Sequence, residues 1–472
     1  MSISDTLQHT KAVPPSYIPG NGFFISAASA LIEKNITRMY INTQLNKRKF
    51  SMTSEEFSQL RYGMFVHFGL FSLLARGEWV MNREQIPPAE MKETARAFNP
   101  EKFDADAICR LALEGGMKYI IFTTMHHEGF RMYDTELSSH NVFRNCGRDL
   151  TREMVDSAKK HGLKVGLYHS LNNWFDQPDG AAALENKESC STFISNTFAR
   201  LKELVDLYKP FDILWYDGWW PFDSHGWQAE RMNEEMRSIC PGLLFNGRNG
   251  LPGDFGTPEQ HLTAPEPWRP WEACVTLNDH WGYHANDNHW KSPIDVINML
   301  LTCGAGRGNL LLNIGPRGDG SIPEASAEIV RKVGSWLKEG GKEAITDCDK
   351  MPFSPTLPQP EDRGDWDSQG RFTASGNDLF FTMHYLPGKK FTFTGLRCNV
   401  KSVTACNSIP LKFTQERDKI TVELPEILTS KLSPVLKFLC DRPPVIYRTG
   451  GMRTPECKHP RYDPVAPDLL YD

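Results

Sequence analysis

No apolar run in this 472-residue chain approaches the roughly 18 residues of a membrane-crossing helix, so a helical membrane protein is excluded. The start, Met1-Ser2-Ile3-Ser4-Asp5-Thr6, lacks the basic residues and apolar core of a secretion signal, and the apolar stretch 23–32 is short and internal. A cytoplasmic location is therefore expected, with secretion left open, and the sequon Asn35-Ile36-Thr37 reads as chance. With a formal net charge of −5 there is no broad basic face for nucleic acid. The 11 cysteines are odd in number and scattered, without the close spacing of a zinc site or a disulfide framework, and read as thiols of a reducing compartment. His-x-His and His-Glu-x-x-His spacings are missing, and no glycine-rich phosphate turn follows the first strand-like run.

What is present is a long alternation. Apolar runs at 63–68, 117–124, 164–169, 211–216, 243–246 and 309–314 read as buried strands. Helix-like stretches lie around 104–114, 149–161, 193–208, 226–238, 293–303 and 323–339, several with start signals such as Asp149-Leu150-Thr151-Arg152-Glu153 and Pro323-Glu324. This predicts an α/β fold, a (β/α) TIM-like barrel over 56–345, with an open doubly wound sheet as the second choice. Residues 1–55 read as an arm or irregular lead-in. Residues 346–368, rich in proline, read as a linker. Short strand candidates at 371–375, 379–386, 390–394, 412–414 and 419–424 predict a small antiparallel β-sandwich over 369–440, followed by an extended tail, 441–472.

Polar chemistry gathers at strand ends, where a barrel of this kind carries its active site. Four successive strands close on His67, on His126-His127-Glu128, on Tyr168-His169 and on Asp217. Each alone has a plain explanation, since a buried histidine is more often a hydrogen-bonded packing residue and a strand-end aspartate more often a turn former. Asp217 stands out because it ends an apolar run and precedes Gly218-Trp219-Trp220-Pro221, a crowd of indoles suited to a sugar ring. His126 and His127 are adjacent, so on a regular strand they point to opposite faces and cannot easily chelate one ion; no metal site is expected. Glu78-Trp79 adds a carboxylate beside an indole. So does Trp268-Arg269-Pro270-Trp271-Glu272-Ala273-Cys274, read as a loop after the fifth strand, with Trp281-Gly282-Tyr283 beyond it. Two carboxylates in an aromatic, histidine-lined pocket are the minimum apparatus for glycoside hydrolysis. For the second carboxylate Glu272 is the choice, with Glu259 and Glu266 as rivals.

Several segments together resemble α-L-fucosidases of glycoside hydrolase family 29. They are Arg61-Tyr62-Gly63-Met64-Phe65-Val66-His67-Phe68-Gly69, Gly77-Glu78-Trp79, Met125-His126-His127-Glu128-Gly129-Phe130, Trp215-Tyr216-Asp217-Gly218 and the run from Gly308 to Gly320. The resemblance extends from about residue 55 to 345, and more weakly to about 425. It implies a retaining exo-glycosidase acting on a fucosylated glycan or glycoside by double displacement, with Asp217 as nucleophile and Glu272 as acid/base. It further implies that His67, Glu78, Trp79, His126, His127 and Tyr168 hold the sugar, that Phe65, Trp215 and Trp281 meet its C6 methyl, and that no cofactor is needed. Alternatives are a catalytically silent fucose-binding homologue and a glycosidase for another sugar. No membrane or nucleic-acid partner is expected, and a homo-oligomer is as compatible with the sequence as a monomer.

Overall fold

The computed structural model describes residues 52–176, 184–346 and 369–446. The expected arm up to residue 51, the linker from 347 and the tail from 447 lie outside the described residues.

Seven strands form one parallel sheet: β1 (Tyr62–Val66), β2 (Tyr119–Met125), β3 (Lys164–Ser170), β4 (Ile213–Asp217), β5 (Leu244–Phe245), β6 (Glu272–Thr276) and β7 (Asn309–Ile314). Their order is β5-β4-β3-β2-β1-β7-β6. Most are continuous apolar runs, and β1, β2 and β7 are buried along their whole length, as a sheet covered on both faces requires. The ring is completed by an irregular segment between the two edge strands. Single parallel bridges join Asn246 to Phe255, Gly256 to Trp271 and Glu259 to Cys274. Residues 255–260 thus stand where an eighth strand would, and Glu259 sits toward the same end of the barrel as the C-termini of the strands.

Helices α1 (Ala105–Glu114), α2 (Leu150–Lys160), α3 (Lys187–Tyr208), α4 (Ala229–Ile239), α5 (Pro293–Ala305) and α6 (Glu324–Trp336) alternate with the strands. Their starts follow local chemistry. Asp104, Asp149 and Asn186 accept backbone N–H groups of the first turns of α1, α2 and α3, and Ser292 with Asp295 forms a capping box ahead of α5, with Pro293 in its first turn. At the bottom of the barrel Phe57, on the short helix Ser54–Ser58, packs against Tyr119 and Phe255.

β6 is a departure from the sequence reading, which places 268–274 in a loop. The strand begins on a charged residue, and Glu272 is tolerated there because buried partners described below bind its carboxylate.

Eight further strands build the C-terminal sandwich. One sheet has the order β12-β11-β15-β9-β8, comprising Ile409–Leu411, Val400–Ala405, Val435–Cys440, Asp378–Met383 and Gly370–Ser375. The other has the order β10-β14-β13, comprising Lys390–Phe393, Lys419–Glu423 and Phe413–Glu416. All pairings within both sheets are antiparallel, and the sheets share a core that includes Phe381, Phe391, Ile420 and Phe438. Trp336 Nε1 donates to Ser433 O at 2.9 Å and Thr373 Oγ1 to Ala344 O at 2.8 Å, tying the sandwich to the barrel. Strands β11, β12 and β15 are absent from the sequence reading. Residues 441–446, expected to begin the tail, belong to the sandwich, where Ile446 bridges Leu396.

Candidate active site

A cavity opens at the C-terminal end of the barrel strands and encloses about 440 Å³, including its solvent-filled mouth. It is lined by Phe65 and His67 of the β1 end, Trp79 between β1 and β2, His126 and His127 after β2, Tyr168 of β3, Trp215 and Asp217 of β4, then Trp220, Arg248, Glu259, Cys274 and Trp281. Every site residue expected from the sequence is in this lining except Glu78 and Glu272.

Asp217 ends β4, and the chain leaves it through Gly218 at φ +70°. A side chain at Gly218 would be strained at that φ and would bring a Cβ to 2.6 Å from Ser170 Oγ, so the turn that exposes Asp217 requires glycine. Tyr168 Oη donates to Asp217 Oδ2 at 2.8 Å and Arg248 Nη1 donates to Oδ1 at 3.0 Å. Burial raises the Asp217 carboxyl, but the Arg248 guanidinium and the Tyr168 hydroxyl outweigh it and hold the group below the usual carboxylate range. The result is an anion, largely enclosed and fixed in direction.

The three imidazoles are neutral. Burial lowers His67 to about 3 and His127 to about 4, and puts His126 well below its ordinary value. Two of them have an assignable tautomer. Asn313 Nδ2 donates to Trp281 O at 2.7 Å, which turns Asn313 Oδ1 toward His67 Nδ1, also at 2.7 Å. Nδ1 of His67 therefore carries the proton and its Nε2 is an acceptor. Ser170 Oγ donates to Asn172 O at 2.7 Å, so at 2.6 Å it can only accept from His127 Nδ1. His127 Nε2 is then also an acceptor, 3.7 Å from Asp217 Oδ2, with room for a ligand hydroxyl to donate to either.

His126 and His127 do share the cavity, against the alternation expected of a strand. The β2–β3 register shifts between Thr123 and Met125, the strand ends, and the two rings lie 4.0 Å apart on one side. Behind His126, burial pushes the Glu128 carboxyl up to about 8, against the pull of backbone amides and Arg131. His169, the other polar residue of the β3 end, turns away from the cavity and is bound to Thr124 Oγ1 at 2.9 Å. Among the described residues no group of three or more His, Cys, Asp and Glu side chains could hold a metal ion.

A linkage effect follows from Glu128. Its folded value lies above the ordinary 4.5, so the native state holds a proton that the unfolded chain gives up, and stability falls as pH rises from about 4.5 to about 8. Glu128→Gln is expected to flatten that slope. In paired thermal melts the variant should gain on the wild type steadily from pH 5 to pH 8, and a parallel pair of curves would contradict the assignment.

Phe65, Trp215 and Trp281 form one apolar corner, with ring centroids 5.1 Å apart for Phe65–Trp215 and 5.8 Å for Phe65–Trp281. At the opposite rim Trp220 stacks on Trp79 at 5.6 Å, and Trp219 and Trp220 are both exposed.

The two expected residues missing from the lining have other places. Glu78 Oε2 accepts the Gly282 N–H at 2.8 Å and clamps the loop that presents Trp281. Glu272 begins β6, at the opposite end of that strand from the cavity, with none of its surface exposed. Its oxygens accept Trp215 Nε1 at 3.0 Å and Tyr119 Oη at 2.5 Å. Burial raises it to about 7, and the two hydrogen bonds pull in the opposite direction. A carboxyl beneath the Trp215 indole cannot reach a leaving group in the cavity above it, which corrects the acid/base choice made from sequence. Glu259, one of its rivals, is in the lining and partly exposed, and Arg248 Nη2 donates to its Oε2 at 2.7 Å. The guanidinium that holds Asp217 therefore also holds Glu259. Glu266 is not in the lining. Arg248 itself escaped the sequence reading. It lies two residues past the predicted strand 243–246, one more polar strand ending of the kind noted on four others.

An α-L-fucosidase family profile matches residues 27–342. The chain belongs to the α-L-fucosidase family. Bovine tissue α-L-fucosidase is 31% identical over 324 residues, covering 61% of this chain and 67% of the relative, and the rat tissue enzyme is 30% identical over 325 residues, covering 61% and 68%. Among solved structures, α-L-fucosidase isoenzyme 1 from Paenibacillus thiaminolyticus superposes with a TM-score of 0.73 at 30% identity, over 82% of this chain and all of that one. A Bacteroides thetaiotaomicron GH29 α-L-fucosidase, trapped as a covalent intermediate with 2-fluoro-fucosyl fluoride, has a TM-score of 0.68 at 24% identity, over 82% of this chain and 95% of that one. The barrel-plus-sandwich architecture is the one this family membership leads one to expect.

Proposed function

We propose that the protein is a retaining exo-α-L-fucosidase in which Asp217 is the nucleophile and Glu259 the acid/base. The observation that carries this reading is the pair of carboxylates on one guanidinium at the mouth of the barrel. The trapped covalent intermediate of the Bacteroides relative supports double displacement for the family.

In the first step the ionised Asp217 attacks the anomeric carbon while Glu259 gives its proton to the departing oxygen. In the second, Glu259 takes a proton from water as that water cleaves the glycosyl ester. Arg248 favours the ionised form of Asp217, which suits it before attack. For the first step the Glu259–Arg248 bond has to open as the substrate enters. Neutral His67 and His127 offer Nε2 lone pairs to sugar hydroxyls. No step calls for a metal or organic cofactor.

The apolar corner of Phe65, Trp215 and Trp281 is where the C6 methyl of fucose would lie. A 6-hydroxyl there would lose its hydrogen bonds among aromatic carbons. Aryl α-L-fucosides are accordingly expected to be hydrolysed much faster than aryl α-L-galactosides, which differ only by the 6-hydroxyl, with the methyl contact worth about 1–3 kcal/mol. A panel of aryl glycosides tests this directly, and comparable rates on the galactoside would rule out the pocket as assigned. His67→Ala and His127→Ala should each cost on the order of 1–3 kcal/mol in kcat/KM without unfolding the protein, because each removes a buried acceptor. His126→Ala belongs in the same series. Unchanged kinetics in all three would remove the imidazoles from the binding role.

A further inference from the structure

Glu272 is a fully buried carboxyl with no access to substrate, yet both of its oxygens are engaged. One of its two donors is the indole of Trp215, which also touches three residues of the cavity lining. Tyr168 stacks on that indole at 5.5 Å and 22°, and Phe65 meets it edge-on. The Arg248 guanidinium lies over the ring, 4.7 Å from its centroid. Apolar contacts alone let a ring slide or pivot, whereas a hydrogen bond to the single indole N–H fixes its rotation. Donation to a carboxylate also enriches the π face that attracts the guanidinium.

We propose that Glu272 is a positioning residue for the reaction. It holds the Trp215 indole by its N–H from beneath the cavity floor, and through the face of that ring it holds the Arg248 guanidinium that carries Asp217 and Glu259. This rests on the proposed function and adds a buried determinant of it. Tyr119, the second donor, keeps the carboxylate in place from β2.

The test is a set of substitutions assayed on an aryl α-L-fucoside beside thermal melts. Glu272→Met removes both acceptors at similar length and should lower kcat/KM about tenfold or more, the scale of a lost hydrogen bond to a charged group. Glu272→Gln keeps an acceptor for the indole N–H and should recover most of that loss. Trp215→Phe lacks the N–H, so adding Glu272→Met to it should cost little more, because the two changes remove one connection. Glu272→Asp is one methylene shorter and keeps its charge; it should also lose activity, and it decides the matter if Glu272→Met does not fold. Full activity in a folded Glu272→Met or Glu272→Asp, or losses that multiply in the double variant, would overturn the proposal and leave Glu272 a purely structural group. An inactive wild type would instead overturn the fucosidase reading itself.

Discussion

Asp217→Gly is expected to abolish turnover of ordinary α-L-fucosides while leaving the fold intact. The carboxylate is fixed by two hydrogen bonds and aimed into the cavity from a strand end, and without it no glycosyl ester can form. Glycine leaves a space beside Arg248 and His127 that a small anion can fill. With azide present and a substrate carrying a good leaving group, the variant should release the inverted β-fucosyl azide. The product configuration is the measurement. Retained activity in the variant would remove Asp217 from the chemistry, and a retained azide would mean that another group is the nucleophile.

Glu259→Ala should behave differently. Loss of a general acid/base commonly costs about 10²–10⁴-fold, and the loss should be greatest for leaving groups that need a proton. An aryl fucoside with an activated leaving group should still load Asp217, so that hydrolysis of the intermediate becomes slow. Azide needs no base and should restore turnover, giving the retained α-fucosyl azide. Glu272→Ala gives the contrast. It lies under Trp215 rather than in the cavity, so its loss should not be rescued by azide. If azide rescued Glu272→Ala and left Glu259→Ala unchanged, the acid/base assignment would return to the one made from sequence.

The sequence was a good guide wherever burial on both faces makes a strand continuously apolar. Runs such as 309–314 announce themselves, and so do the polar residues that end them. It misled over Glu272 because proximity to Trp271 and Trp281 in the chain says nothing about which end of a strand a residue occupies. Glu272 starts β6, and the parallel direction of the sheet sends it to the far end of that strand from Asp217. Glu259 was hard to choose because 255–260 has no strand periodicity to read; its position comes from isolated bridges to both neighbours. The alternation rule failed at His126-His127 for a local reason, the register shift at the end of β2, which no pattern of residue types reveals. The C-terminal strands β11 and β15 were missed because lysines interrupt them at Lys401 and Lys437, the second of which pairs with Glu343 and Asp378.

The irregular closure of the barrel also bears on how the molecule breathes. Strands β1, β2, β3 and β7 are held by ladders on both sides, so their amides should open only with the whole barrel, while β4 has a full ladder to β3 and two residue pairs to β5. Residues 255–260 are tethered by a few backbone bonds, among them Gly256 N to Pro270 O, Cys274 N to Pro258 O and Gln260 N to Cys274 O. Such a segment can detach locally at small cost and reseal. In native-state hydrogen exchange the amides of Gly256 and Gln260 should lose protection well before those of β1, and a ligand gripping Glu259 should slow them. The proposed proton donor would then ride on the least cooperative stave of the barrel, while the proposed nucleophile ends a strand laddered in full to β3.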